Sequence, residues 1–527
     1  LLLFSALETG CGSGKNESAQ SGGSKKTGGA KQSGGDTAPA AGGSNTGGTG
    51  TGGTISGGTT TVTSGGSTSG GTIAGGSASG GAQTGGATIS GGSVSTSGGA
   101  STGGNSVQGG ASATGGSTGG ASGTGGTPVV ITPAEGDQWV SATGDDSNPG
   151  TEAKPLKNLQ TAVLKAQPGT TIWMMAGTHS YASRVGIKSE KVNLTMGTRD
   201  PTAPAVANAR DGQEGKLIHI FGVAGSRPVI DFGPQRKIIN DMAASECAGG
   251  PSGSAAAIAT RNSSRGIALY AEYWHLKNLE ITGAADNCIY VAGSHNIVEN
   301  VAIHDCGDTG LQITGQDEST VYLPSYNKII NCDSYQNIDD LICEELPGED
   351  ADGYAAKLAI GPGNEFRGCR AWNNVDDGWD FFAGKLAQPP VLMDNCWAFG
   401  MNHPGGNDRS DGNGFKLGGW RNEPDQCVAS LNSAKHILTN LFAFDNPGKG
   451  YSTNGNSAEL VCDKCGGWNN GCKSNPKCNK NFYVKETSCG NQVVKVTNEV
   501  TGLTVTSEKA KNAKRDASGN LPDIRSL

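Results

Sequence analysis

The chain has 527 residues, 87 of them glycine, and carries a net charge of −8. That balance supplies no basic field of the kind that holds nucleic acid, and no stretch beyond the first residues is apolar enough to span a membrane. Hydrophobic content is sparse up to about residue 127 and ordinary from Pro128 onward, which excludes one uniform globule of full length.

The opening LLLFSALETGCGSGKNES reads as the end of a secretion signal. Ala6 and Leu7, with Thr9 and Gly10 directly before Cys11, fit a lipoprotein acceptor, although Glu8 departs from the usual pattern. Residues 1–11 are therefore expected to be a signal remnant ending at a lipidated Cys11, with ordinary cleavage and free secretion as the alternative. The expected location is secreted or cell-surface, as an outer-membrane lipoprotein of a bacterium, touching the membrane only through that anchor. Residues 12–127, in runs such as GGTGTGGTISGG, bury too little to offset chain entropy and are expected to be a disordered linker. As a Gly/Ser coil of about 115 residues it would span roughly 60 Å. The folded domain is expected over 128–527, as a monomer.

That domain opens with PLKNLQTAVLKAQPG, which places Leu156, Leu159, Val163 and Ala166 on one helical face and stops at Pro168-Gly169. TTIWMMAGTHSY follows as a strand. A short amphipathic helix here would cover the open edge of a sheet.

Next comes a weak repeat. Asn278, Asn300, Asn331, Gly368, Asn395 and Asn440 align in one column, each followed by an apolar residue or cysteine: Leu279, Val301, Cys332, Cys369, Cys396, Leu441. A second column holds Cys306, Asn337, Asn374 and Asn446, and a third holds Gly310, Gly378 and Gly450. Short β-runs with one asparagine per unit and glycine at the corners describe a parallel β-helix with loops of variable length. The first-column asparagines are expected to point inward and hydrogen-bond along the stack. Cys332, Cys369 and Cys396 are expected to pack the interior as reduced thiols. An antiparallel sandwich would give no reason for an asparagine column.

Within the repeat, NNVDDGWDFF crowds Asp376, Asp377 and Asp380 beside Trp379, Phe381 and Phe382. Two places past Gly378 stands Asp380, and two places past Gly414 stands Lys416. On stacked rungs about 4.8 Å apart these become neighbours on one face. EDADGYAAKL adds Asp352 from the preceding loop. Four carboxylates near one lysine call for a hard divalent cation, Ca²⁺ ahead of Mg²⁺, and no His or Cys in the cluster suggests zinc. Asp376 and Asp377 can serve one ion only from a bend before Gly378, because neighbours in a strand face opposite ways. The plainer reading is a polar turn whose aspartates cap backbone amides. Further on, CDKCGGWNNGCKSNPKC, Cys462 to Cys478, is the expected place for disulfides, with a zinc site as the alternative.

From WVSATGDDSNPGTEAKPLKNLQTAV through ADGYAAKLAIGPGNEFRGCRAWNNVDDGWDFF and GNGFKLGG to RDASGNLPDIRSL, the chain resembles polysaccharide lyase family 9, the pectate lyase type. The resemblance implies an all-β fold, a right-handed parallel β-helix. It also implies Ca²⁺ ligation by Asp352, Asp376, Asp377 and Asp380, and Lys416 as catalytic base. The implied activity is β-elimination in pectate (polygalacturonate), cleaving α-1,4-linked galacturonan to 4,5-unsaturated oligogalacturonides. Arg409 and Lys357 are expected to hold substrate carboxylates. Nearby Ca²⁺ and partial burial are expected to lower the pKa of Lys416. Two other classes compete. A β-helix glycoside hydrolase would use two carboxylates and no calcium. A surface-tethered polysaccharide-binding protein or adhesin with a structural calcium would explain the tether, but not a lysine beside the ion.

Overall fold

Short runs of two to five residues cannot bury an apolar face alone, so each must find the matching run one turn later. In the computed structural model every strand pairing among the described residues is parallel, in sheets of eleven, nine and nine strands. The structure describes residues 132–189, 210–241, 264–315, 323–341, 347–384, 386–407, 409–419, 433–473, 480–483 and 494–527. The expected signal remnant, Cys11 and the linker over 12–127 lie outside them.

Each turn of the coil visits the three sheets in order. Trp274–Lys277, Glu280–Thr282 and Ile289–Val291 make one turn, and Ile297–Glu299, Ala302–His304 and Leu311–Ile313 make the next, in register. The expected parallel β-helix is therefore the fold. The expected cap is the helix Leu159–Lys165, which buries Leu159, Ala162 and Val163. Its first turn is held by the Leu159 N–H donating to the Tyr181 hydroxyl at 3.1 Å. One strand precedes it: Gln138–Val140 pairs with Thr171–Met174, so the coil starts earlier than TTIWMM.

The asparagine columns need one correction. Asn278, Asn300, Asn331, Asn395 and Asn440 do not form the inward ladder. They take left-handed φ of 52–57° at the corner between the first two sheets, the conformation that asparagine tolerates best after glycine. Gly368 occupies the same corner at φ 63°. The buried ladder belongs to the second column. Asn374 Oδ1 accepts from the Asn337 N–H at 3.2 Å, and Asn470 Oδ1 accepts from the Asn446 N–H at 3.2 Å. Asn296, Asn327 and Asn364 make another buried ladder at the corner from third sheet to first. A fully buried amide side chain that satisfies backbone groups on its own and the next rung avoids the cost of orphaned donors.

Side chains alternate across each strand. Tyr354, Trp379, Phe415, Tyr451 and Phe482 stack inward under the third sheet with centroids 4.8–5.1 Å apart. Cys332, Cys369 and Cys396 are buried free thiols in the core, as expected. Among the described residues, disulfides join Cys462 to Cys465, inside the segment expected to carry them, and Cys288 to Cys306, which no spacing signalled. The second sheet turns an aromatic face outward, Trp397, Phe399, Phe442 and Phe444. The C-terminal segment covers it with Val505, Ala510, Ala513, Leu521 and Ile524.

Candidate active site

The inward aromatic stack explains the composition of NNVDDGWDFF. Because side chains alternate, Trp379 enters the core while its neighbour Asp380 emerges on the outer face of the third sheet. Asp380 pairs in register with Lys416, as the two-residue offset from Gly378 and Gly414 predicts. The glycines are needed because the rungs touch. A Cβ on Gly378 would lie 2.5 Å from the Gly414 carbonyl oxygen, and one on Gly414 would lie 2.6 Å from that of Gly450.

Just before these strands the chain bends, and one residue per rung forms a column: Thr309, Asp352, Asp377, Asn413 and Lys449. The Gly353 N–H donates to the Asp377 carbonyl at 2.9 Å, Gly378 to Asn413 at 2.9 Å, and Gly414 to Lys449 at 2.8 Å. Side chains run the same ladder. Asp352 Oδ1 accepts from the Asp377 N–H at 3.2 Å, Asp377 Oδ1 from Asn413 at 2.7 Å, and Asn413 Oδ1 from Lys449 at 2.9 Å. Asp376 Oδ1 accepts from the Asp411 N–H at 2.6 Å. The capping role of the plainer reading is thus real, and it uses one oxygen of each carboxylate. The other oxygen of Asp352 takes Thr309 and Lys357, while that of Asp377 accepts no hydrogen bond.

Asp352, Asp376 and Asp377 each offer an oxygen within 4.8 Å of the other two, and all three are buried. Asp376 and Asp377 meet this condition because they sit in the bend and not in the strand. Asp380 stands beside the set, its Oδ2 lying 3.7 Å from Lys357 Nζ and 4.0 Å from Lys416 Nζ. Lys416 Nζ also lies 3.2 Å from Asp377, 3.5 Å from Asp411 and 3.9 Å from Asp376.

These distances set the protonation states. Burial first, and then repulsion from Asp377, push the Asp376 carboxyl well above its ordinary range. Burial does the same to Asp352 despite Lys357, and Asp377 is pushed up to about 6 despite Lys416. For Lys416, burial favours the neutral amine, but Asp380, Asp377, Asp376 and Asp411 together outweigh it and hold the pKa well above the usual lysine value. The expected downward displacement is therefore not produced by the protein's own charges. Asp377 Oδ2 and Asp380 Oδ1 are buried and accept no hydrogen bond; Asp377 Oδ2 meets Lys416 in ion-pair distance only. Buried, crowded, all-oxygen and incompletely satisfied, the set fits a hard divalent cation.

Lys357 lies beside the cluster, 3.2 Å from Asp352 Oδ2 and 3.7 Å from Asp380 Oδ2, with a partly buried side chain. Arg409 does not join it. Its half-exposed side chain lies 3.9 Å from Glu349 on the loop above. Three participants were not singled out from sequence: Asp411, Asn413 and Thr309, whose hydroxyl donates to Asp352 Oδ2 at 3.0 Å. Asn413 was findable by counting one place before Gly414, as Asp377 precedes Gly378. Asp411 sits in a loop of irregular length, where no register reaches.

Comparison with known proteins identifies relatives of the chain. Residues 138–491 match the sequence model described as Pel9A-like, right handed beta helix region. A pectate lyase L of Paenibacillus polymyxa is 32% identical over 360 residues, covering 67% of this chain and 67% of that protein. A pectate lyase L of Dickeya chrysanthemi is 30% identical over 355 residues, 66% of this chain and 69% of its own. Among solved structures, the crystal structure of pectate lyase Pel9A aligns with a TM-score of 0.50 at 25% identity, over 73% of this chain and 88% of that one.

Proposed function

Because the chain belongs to the Pel9A-like right-handed β-helix family, the pectate lyase type of polysaccharide lyase family 9, we propose that it is a calcium-dependent pectate lyase with Lys416 as its base. The observation that carries this reading is the buried carboxylate set on consecutive rungs, with an amine 3.2 Å from one member.

Asp352, Asp376, Asp377 and Asp380 would hold Ca²⁺. When bound, such an ion offsets the C6 carboxylate of a galacturonate and makes its C5 proton more acidic. The residues of the chain do the rest. Lys416, neutral, takes the C5 proton; the C5–H electrons form the C4–C5 double bond; the C4–O pair departs with the leaving sugar, which is then protonated by solvent. A base must be neutral, and the aspartates around Lys416 oppose that state. The amine is released only when their charge is compensated by something other than Lys416. Lys357 shares Asp352 and Asp380 with the site and contributes a second positive charge, and we assign it to substrate carboxylates together with Arg409.

The test is direct. Polygalacturonate with Ca²⁺ should give product absorbing in the ultraviolet as an unsaturated uronide. Chelation should abolish it, and Ca²⁺ should restore it better than Mg²⁺. Saturated products would indicate hydrolysis, and full turnover in excess EDTA would sink the calcium assignment.

We further propose export with lipidation at Cys11, residues 12–127 serving as the tether of a monomeric catalytic domain. The sequence pattern alone supports this. Cys11→Ser should shift the protein from the membrane fraction to the medium, and deleting 12–127 should leave thermal stability and turnover unchanged.

A further inference from the structure

The cysteine-rich segment, which the proposed reaction does not use, reaches back toward the carboxylate set through one side chain. The Lys473 ammonium donates to the Asn407 carbonyl at 2.8 Å and to the Ser410 carbonyl at 2.9 Å, 66 and 63 residues earlier in the chain. The backbone that carries this lysine is fixed. Its N–H donates to the Pro447 carbonyl at 3.0 Å, and the Gly448 N–H donates to the Gly412 carbonyl at 2.9 Å, so the three segments follow on successive turns of the coil. The adjoining Cys472 is disulfide-bonded.

The turn that Lys473 holds is ordered within itself. The Arg409 N–H donates to Asn407 Oδ1 at 2.8 Å, and the Asn407 N–H donates to Ser410 Oγ at 3.2 Å. These bonds shape the turn but do not set where it stands on the coil. Two outside contacts do: Lys473 from the C-terminal side, and Asn407 Nδ2 donating to the Pro347 carbonyl on the N-terminal side.

Directly after the turn comes Asp411, whose position matters twice. Its N–H donates to Asp376 Oδ1 at 2.6 Å, and its own Oδ2 lies 3.5 Å from Lys416 Nζ. The bond to Oδ1 fixes the Asp376 carboxylate and with it the direction of Oδ2, which lies 3.9 Å from Lys416 Nζ. Hydrogen bonds behind a ligating carboxylate are worth about ten- to a hundredfold in metal affinity. We infer that Lys473 is a positioning residue: by holding the turn it places Asp411, and through Asp411 it orients Asp376 toward the cation. The cysteine-rich segment is thereby a brace of the site. This inference rests on reading the carboxylate set as a calcium site.

The sign of one measurement separates placement from charge. Lys473→Met removes a positive charge, which by itself would leave calcium affinity equal or tighter. Loss of placement acts the other way. Calorimetric titration of the full-length variant with Ca²⁺, without sugar, should show affinity about tenfold weaker than wild type. Lys473→Arg, which keeps a charged donor, should recover most of the loss. A second readout needs no metal. In chelator, trypsin should cut after the half-exposed Arg409 faster in Lys473→Met than in wild type, as followed by mass spectrometry. Equal or tighter calcium binding by Lys473→Met overturns the inference, whatever the rate of cutting. Unchanged cutting overturns the hold on the turn, and equal weakening in both variants overturns the donor role of the ammonium. If the wild type itself binds no Ca²⁺, the inference falls together with the calcium reading.

Discussion

At the scale of single residues, a substitution separates the proposed role of Lys416 as base from its structural one. Lys416 is buried to 7% exposure with four carboxylates within 4.0 Å, so it is also a counter-charge of that cluster. Lys416→Ala should reduce turnover at least about a hundredfold, the low end for a positioned general base. Lys416→Arg should be nearly as inactive, since guanidinium keeps its proton. In chelator, Lys416→Ala should melt below the wild type, because Asp376, Asp377 and Asp380 lose their cation. With saturating Ca²⁺ that gap should narrow, binding to the native state alone adding about 2.7 kcal/mol at a hundredfold excess over Kd. Near-normal turnover by either folded variant would remove Lys416 from the mechanism.

At the scale of elements, the C-terminal segment is fastened to the coil by ionic contacts as well as by packing. Asp333 receives Arg370 through two bonds of 2.8 Å and Arg515 at 2.6 Å, while Arg370 also donates to the Ala510 carbonyl at 2.7 Å. Burial pushes the Asp333 carboxyl up, but the two guanidiniums outweigh it and hold it below the ordinary range. Asp333→Ala should cost about 3–5 kcal/mol, the cost of leaving buried charge without its partner, read by denaturant unfolding. Asp333→Asn should cost less. None of this clamp was legible in the sequence, because Asp333 and Arg515 meet only through the packed tail. The coil was legible for the opposite reason. Strand periodicity of two and one rung per repeat are local rules, and they carried Asp380 to Lys416 correctly. The asparagine ladder was misassigned because two columns of asparagine serve two corners, one through backbone conformation and one through buried amides, and spacing alone does not distinguish them.

At the scale of the whole molecule, acid should loosen the coil through a group separate from the carboxylate cluster. His436 is buried, accepts from the Val391 N–H at 3.1 Å through Nδ1, and is held neutral by burial, its pKa lowered to about 3. The unfolded chain binds that proton near 6.5 and the native chain resists it, so stability rises with pH between about 3 and 6.5 and falls as acid is added. One such site contributes about 1.4 kcal/mol per pH unit in that window. His436→Gln, which keeps an acceptor, should flatten the melting temperature against pH there; an unchanged slope would assign the acid sensitivity elsewhere. The core also holds three thiols, Cys332, Cys369 and Cys396, on consecutive rungs, all buried and free. Burial pushes Cys332 and Cys369 away from the reactive thiolate, so a water-borne alkylating reagent reaches them only when a rung opens. The protein thus carries its own timers. Mass spectrometry of the order and rate at which the three are labelled would record where the spiral first comes apart, and whether a cation at the carboxylates delays it.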